Sequence, residues 1–215
     1  MARRLPEIRS WSDYYIPGTQ TLRNLIGRPA KPYGEEDPVR LRTIEEAATT
    51  VRIAEQLQTP LPGNFDYAHF KAIHRHIFQD VYEWAGEERV APTDRWMTKS
   101  GHAYYPAGPV MTEAAEAQFR YLAKMHLLQG LSRDDFVTEL AECWGEINVI
   151  HSFREGNTRT QTVFFSELAR NAGYELQPSA FLDPEIRDAF IAARFHSQDS
   201  GDNSRLAEVL GRVIR

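Results

Sequence analysis

Residues 151–159 read His151-Ser152-Phe153-Arg154-Glu155-Gly156-Asn157-Thr158-Arg159. A titratable base, a carboxylate, a Gly-Asn turn and an arginine fall within this one stretch. Helical periodicity runs up to it and resumes after it. Before it, Phe136, Leu140, Trp144 and Ile147 recur at spacings of three and four; after it, Val163, Phe164, Leu168 and Ala172 do the same, and Gly173 follows as a C′ stop. The stretch therefore reads as a short loop running into a helix N-terminus. Such an end carries unpaired backbone N–H groups and partial positive charge, and a glycine there admits a phosphate close to the backbone. In that setting Glu155 suits Mg²⁺ held against phosphate, since hard cations prefer oxygen ligands. Arg159, one turn in, suits a second phosphate. His151, at the other lip, is placed to take a proton from an incoming hydroxyl. Singly, each residue fits an ordinary helix–loop–helix corner; order and spacing together favour a site.

The rest of the chain supports a helical frame. Thr43-x-x-Glu46 is a capping-box pattern, and Ile44, Ala47, Val51, Ala54 and Leu57 follow on one stripe up to Pro60 and Pro62. A long helix is expected from Asp66, with Phe70, Ile73, Ile77 and Val81 inward. Residues 86–108 carry no helical period, and the segment around Gly101 suits a small β-hairpin. Further helices are expected from about Pro109 to Leu128, from Asp183-Pro184-Glu185, and from a Ser204 cap through Leu206, Val209, Leu210 and Val213. Residues 1–42 read as an irregular arm with one short helix near Thr21–Ile26. The sum is an all-α bundle with a hairpin at about residues 94–106, without βαβ alternation.

Composition narrows the function. The 215 residues are 42% hydrophobic and 26% charged with a net charge of −5, which fits one soluble domain and argues against a nucleic-acid backbone as main partner. Arg3 and Arg4 precede no apolar segment, so no secretory signal is read, and no run approaches the ~18 apolar residues of a membrane span. The single cysteine, Cys143, reads as a buried small hydrophobe, which suits a reducing cytoplasm. Among the seven histidines, His74 and His76 lie two apart on a helix and make a poor metal pair. Cys/His zinc spacings, phosphate loops and Gly-x-Gly-x-x-Gly are absent. Trp84, Tyr104 and Tyr105 read as core and hairpin anchors.

The stretch at 151–162 resembles the signature of the Fic family, His-x-Phe-x-(Asp/Glu)-Gly-Asn-Gly-Arg-x-x-Arg. His151, Phe153, Glu155, Gly156, Asn157 and Arg159 match. Ser152 stands where a proline is usual, Thr158 replaces the second glycine and Thr162 the final arginine. Tyr15-Ile16-Pro17-Gly18-Thr19 with Leu22-Arg23-Asn24 is similar to the opening of many members. Residues 70–78 and Tyr82-Glu83-Trp84-Ala85-Gly86-Glu87 resemble the helix before the family's flap, and Thr98-Lys99-Ser100-Gly101 with Tyr105-Pro106 resembles the flap.

The resemblance, to a short bacterial member of the toxin type, implies an arm at 1–42 and a Fic domain at 43–215. It implies transfer of AMP from ATP to a Ser, Thr or Tyr hydroxyl of a target protein. His151 would be the base and Phe153 a core anchor. Glu155 would bind Mg²⁺, Gly156 and Asn157 would form the anion hole on the α-phosphate, Thr158 would sit beside them in the nucleotide site, and Arg159 would hold the β-phosphate. The flap residues Thr98, Lys99, Ser100, Gly101 and Tyr104 would dock the target by strand addition. Two alternatives stay open: an activity-impaired binding module, and kinase-like transfer as in the related Doc branch, which usually carries Lys where this chain has Thr158. The family's inhibitory (Ser/Thr)-x-x-x-Glu-(Gly/Asn) stretch is missing, so restraint is expected from a small antitoxin-like protein in trans, docking near Thr43–Leu57. Thr162 is too short for the γ-phosphate, so ATP binding should be weaker by about 1.5–3 kcal/mol unless Arg154 or Lys99 substitutes.

Overall fold

A computed structural model describes residues 5–215; Arg3 and Arg4 lie outside the described residues. Its centre is the helix pair predicted around the motif. Helix α4 (Arg133–Ile150) starts where the Ser132 hydroxyl accepts the Asp135 amide, with Asp134 and Asp135 in its first turn. Phe136, Leu140, Trp144 and Ile147 are all buried, as their spacing predicts. Helix α5 (Asn157–Asn171) lies against it. The Trp144 ring stacks on Phe165 at 4.5 Å, and its Nε1–H donates to Gln161 Oε1 at 3.1 Å. Gly173 closes α5 at φ +91°, a left-handed residue as expected of a C′ glycine.

The remaining elements wrap this pair. They are α1 (Pro38–Gln58), α2 (Tyr67–Phe78), β1 (Met97–Lys99), β2 (His102–Tyr104), α3 (Pro109–Lys124), α6 (Pro184–Ser200) and α7 (Ser204–Val213). Helix α4 touches α3, α5, α6 and α7, while α1 and α2 cover α5 from the other side. The fold is the all-α bundle with one hairpin that the sequence predicts. Strands β1 and β2 pair antiparallel, Met97 with Tyr104 and Lys99 with His102. Ser100 and Gly101 turn the hairpin with φ of +54° and +87°, the twist that two-residue hairpin loops require. Cys143 is buried with its thiol free, as its apolar surroundings predict.

Five local expectations are corrected. Helix α1 starts at Pro38, capped by Asp37, whose carboxylate accepts the Val39 and Arg40 amides. Thr43 is inside the helix and its hydroxyl bonds back to the Val39 carbonyl. The inward face of α1 carries Leu41, Thr49 and Gln56, whereas Ala47, Val51 and Ala54 point to solvent, Val51 at 58% exposure. The polar positions win because tertiary partners satisfy them: Gln56 donates to buried Glu167 of α5 at 2.8 Å. No helix forms at Thr21–Ile26. That stretch is extended, bridging Leu22 to Tyr15 and running its Leu25 amide to the Val81 carbonyl. Helix α3 ends at Lys124, and a separate 3₁₀ turn spans His126–Leu128. Ser204 is the first residue of α7 rather than its cap; its amide donates to Asp202.

Candidate active site

The motif loop is held from below by an aromatic stack. Phe153 is fully buried. Its ring lies on His74 at 3.8 Å with planes 17° apart, and beside Phe70 at 5.4 Å. His74 spans two loops: its Nδ1 accepts the Gly86 amide, which leaves Nε2 to donate to the Glu155 carbonyl at 3.0 Å. Burial pushes the His74 pKa down to about 3, so the ring is neutral and works as a brace. His74, read from sequence as structural or surface, is therefore structural and props the loop.

His151 is the C-cap of α4 in the left-handed region, φ +51°. It stands where the helix gives way to the loop, as the sequence predicts, but is only 8% exposed, with the Tyr104 ring at 4.3 Å. Burial first, then the charges of Lys99, Arg89 and Arg194, hold its pKa well below the usual histidine value. A neutral imidazole is the form a general base needs. Tyr104 packs under the hairpin, while Thr98, Lys99, Ser100 and Gly101 are exposed on it.

Gly156 is the pivot from loop to helix. It takes φ +81°, and a β-carbon there would meet the Phe78 ring at 2.2 Å, so both conformation and space exclude a side chain. The Asn157 side chain closes the loop on itself: Nδ2 donates to the Phe153 carbonyl at 2.7 Å and Oδ1 accepts the Phe153 amide at 3.0 Å. What Asn157 offers an anion is therefore its backbone amide, beside those of Thr158 and Arg159, the unsatisfied first turn of α5. Glu155 uses one carboxylate oxygen to accept the Gly156 amide at 3.1 Å. Arg159 lies over the Phe78 ring and is paired with Glu45 and with the Thr49 hydroxyl. Glu155 and Arg159 line one depression of about 460 Å³ with Tyr82 and Glu45. His151 and Arg154 line another, of about 620 Å³, with the hairpin. The loop thus separates a base-bearing groove from a carboxylate-and-arginine groove.

Two arginines escaped sequence reasoning because their partners are distant in the chain. Arg89 is buried and donates only to carbonyls, those of His151 at 2.8 Å, Ile150, Ala91 and Tyr105, tying the base-bearing turn to the hairpin's ends. Arg194 of α6, 9% exposed, donates through Nη1 to the Thr158 hydroxyl at 3.0 Å, and its Nε has no partner among the described residues. Thr158, in place of the family's glycine, is what this guanidinium grips. Thr162 turns its hydroxyl back to the Thr158 carbonyl at 2.9 Å and offers nothing outward. Of the substitutes proposed for the missing arginine, Arg154 is committed elsewhere, stacked on Trp11 at 4.2 Å and bonded to the Tyr15 hydroxyl. Lys99 stays on the hairpin. The cation nearest the first turn of α5 that a sequence reading overlooks is Arg194.

A histidine, the open first turn of a helix, a carboxylate and an arginine thus surround one loop. The profile of the Fic/DOC family matches residues 64–169. The chain is 37% identical over 201 residues to a probable protein adenylyltransferase, y4lH, of Sinorhizobium fredii, covering 92% of this chain and 93% of that protein. It is 34% identical over 187 residues to the protein adenylyltransferase VbhT of Bartonella schoenbuchensis, covering 86% of this chain but 36% of that longer protein. The fold matches a BepC effector from Bartonella tribocorum, crystallised with bound AMPPNP, at a TM-score of 0.81 and 23% identity over 95% of this chain and 97% of that one. The chain belongs to the Fic/DOC family.

Proposed function

We propose that this protein is an adenylyltransferase that moves AMP from ATP to a hydroxyl side chain of another protein. The observation that carries the reading is the His151 ring at the turn into the motif loop, its buried Nδ1 without a partner among the described residues, on a family member whose 37%-identical relative bears that activity in its name. His151 takes the proton of the target hydroxyl. The freed oxygen attacks the α-phosphorus, the bond to the bridging oxygen breaks, and pyrophosphate leaves. The amides of Asn157 and Thr158 meet the charge that develops on the α-phosphate, and Arg194, fixed behind Thr158, adds a cation there. Arg159 exchanges its Glu45 partner for the β-phosphate.

The residues fit Mg²⁺. Glu155 keeps an oxygen free, and no group of three or more His, Cys, Asp or Glu among the described residues could cage a metal. A cation that keeps its waters and takes phosphate oxygens with one carboxylate suits this site, where it would neutralise phosphate charge. Kinase-like transfer is disfavoured, because Thr158 stands where that branch carries lysine and is occupied by Arg194. Restraint by a small antitoxin-like protein in trans is consistent with the solvent-facing Ala47, Val51 and Ala54 on α1. Among the described residues no helix is long and apolar enough to cross a membrane. The test is incubation of the protein and a lysate with ATP labelled at the α- or the γ-phosphate. Protein-bound label from α alone is expected; label from γ alone would replace adenylylation with phosphorylation.

A further inference from the structure

The hairpin has one open edge. The Ala103 carbonyl of β2 points away from β1 and accepts Gln198 Nε2–H of α6. Thr98–Ala103 is therefore a pair that does not exchange hydrogen bonds, and the Thr98 amide and carbonyl face the free side of β1. The other side is further closed by α6: His102 stacks on Phe195 at 3.8 Å and bonds Asp199 at 2.9 Å. An added strand thus has one place to go, and the groove it enters is the 620 Å³ depression that ends at His151.

That groove is charged against the grain of the chain. The protein has a net charge of −5, yet the groove's lining includes Arg95, Lys99 and Arg154 and no carboxylate. Arg95 is three-quarters exposed, and its neighbour Asp94, equally exposed, lies 3.6 Å away outside the lining. Lys99 has no ion pair among the described residues. The nearest carboxylate oxygen to Arg154 is that of Glu155 at 4.0 Å. Trp11, Tyr15 and Trp96 form the apolar part of the wall, Trp96 at 52% exposure. Aromatic surface with cations beside an unpaired strand edge is a surface built to be covered.

The geometry points to the class of target segment: an extended stretch carrying Asp or Glu on both sides of the modified hydroxyl. Its backbone pairs with Thr98, its acidic side chains meet Arg95 and Lys99, and its hydroxyl reaches His151, while Arg154, held by Trp11 and Tyr15, adds only background positive charge. This rests on the adenylyltransferase reading for what happens to the hydroxyl, but not for what binds.

The experiment measures the two separately. Fluorescent peptides with a central Tyr, Ser or Thr and acidic, amide or basic flanks are titrated against the protein without ATP by anisotropy. Acidic flanks should bind roughly fivefold tighter than their amide isosteres, the sum of two exposed ion pairs, and the preference should shrink with salt. Arg95→Glu, at an exposed position that leaves the fold intact, should reduce that preference and favour Lys-flanked peptides instead. Equal affinity for acidic and amide flanks, a preference for basic flanks, or no measurable peptide binding would each overturn the proposal. Transfer from α-labelled ATP is scored on the same peptides. Acid-selective binding without transfer would refute the enzymatic reading alone; transfer without acid selectivity would refute this inference alone.

Discussion

Phe153→Ala removes the ring on which the loop rests, and its consequences can be followed atom by atom. Phe153 has no exposed surface and stacks on both His74 and Phe70. Truncating a buried phenylalanine costs about 3–5 kcal/mol through lost burial and the cavity left behind. In a chain of this length each kcal/mol lowers Tm by about 2–4 °C, so a fall of roughly 10 °C is expected in a calorimetric scan. The cavity also frees one face of His74, whose depressed pKa depends on burial. With water admitted, that pKa should rise toward the ordinary histidine value, visible in an NMR titration. His74 Nε2 would then hold the Glu155 carbonyl less firmly, and activity should fall even at temperatures where the variant is folded. A Tm within a degree or so of the parent, with an unshifted His74, would show that Phe153 does not support the loop.

Gly156→Ala should cost about 2–4 kcal/mol, combining left-handed strain with overpacking against Phe78, and should weaken ATP binding; a neutral effect on both would move the anion site elsewhere. Arg194→Gln removes a cation that disfavours protonated His151. Its loss raises the folded pKa of the base, so the acid limb of kcat/KM should move to higher pH. A limb that stays put would show that Arg194 does not act on His151. Thr162→Arg restores a cation one turn from Thr158 and should tighten ATP binding, read by calorimetry. No change would mean that another residue already holds the far end of the triphosphate.

What the sequence revealed depended on where each residue finds its partners. Helices α4 and α5 were legible because Phe136, Leu140, Trp144 and Ile147, and likewise Val163, Phe164 and Leu168, bury apolar side chains at helical spacing. The motif was legible because its residues are contiguous. Helix α1 misled because its buried positions include Thr49 and Gln56, polar residues satisfied by Arg159 and Glu167 more than a hundred positions away. Its apparent capping box at Thr43 was outcompeted by Asp37-Pro38, a stronger start only five residues upstream. Arg89 and Arg194 carry no local signal, since an isolated arginine in a sequence reads as surface. For Arg194, the one hint was that Thr158 departs from glycine and so has a hydroxyl to offer.

The central claim is that His151 activates a protein hydroxyl to take AMP from ATP. Its most direct test is mass spectrometry of host-cell proteins after expression of the parent chain and of His151→Ala. A folded His151→Ala protein, verified by its melting curve, is needed because the residue is buried. AMP adducts on Ser, Thr or Tyr are expected with the parent and should fall at least about a hundredfold with the variant, the usual scale for losing a general base. Adducts at equal levels in both, or none with a folded, nucleotide-binding parent, would contradict it.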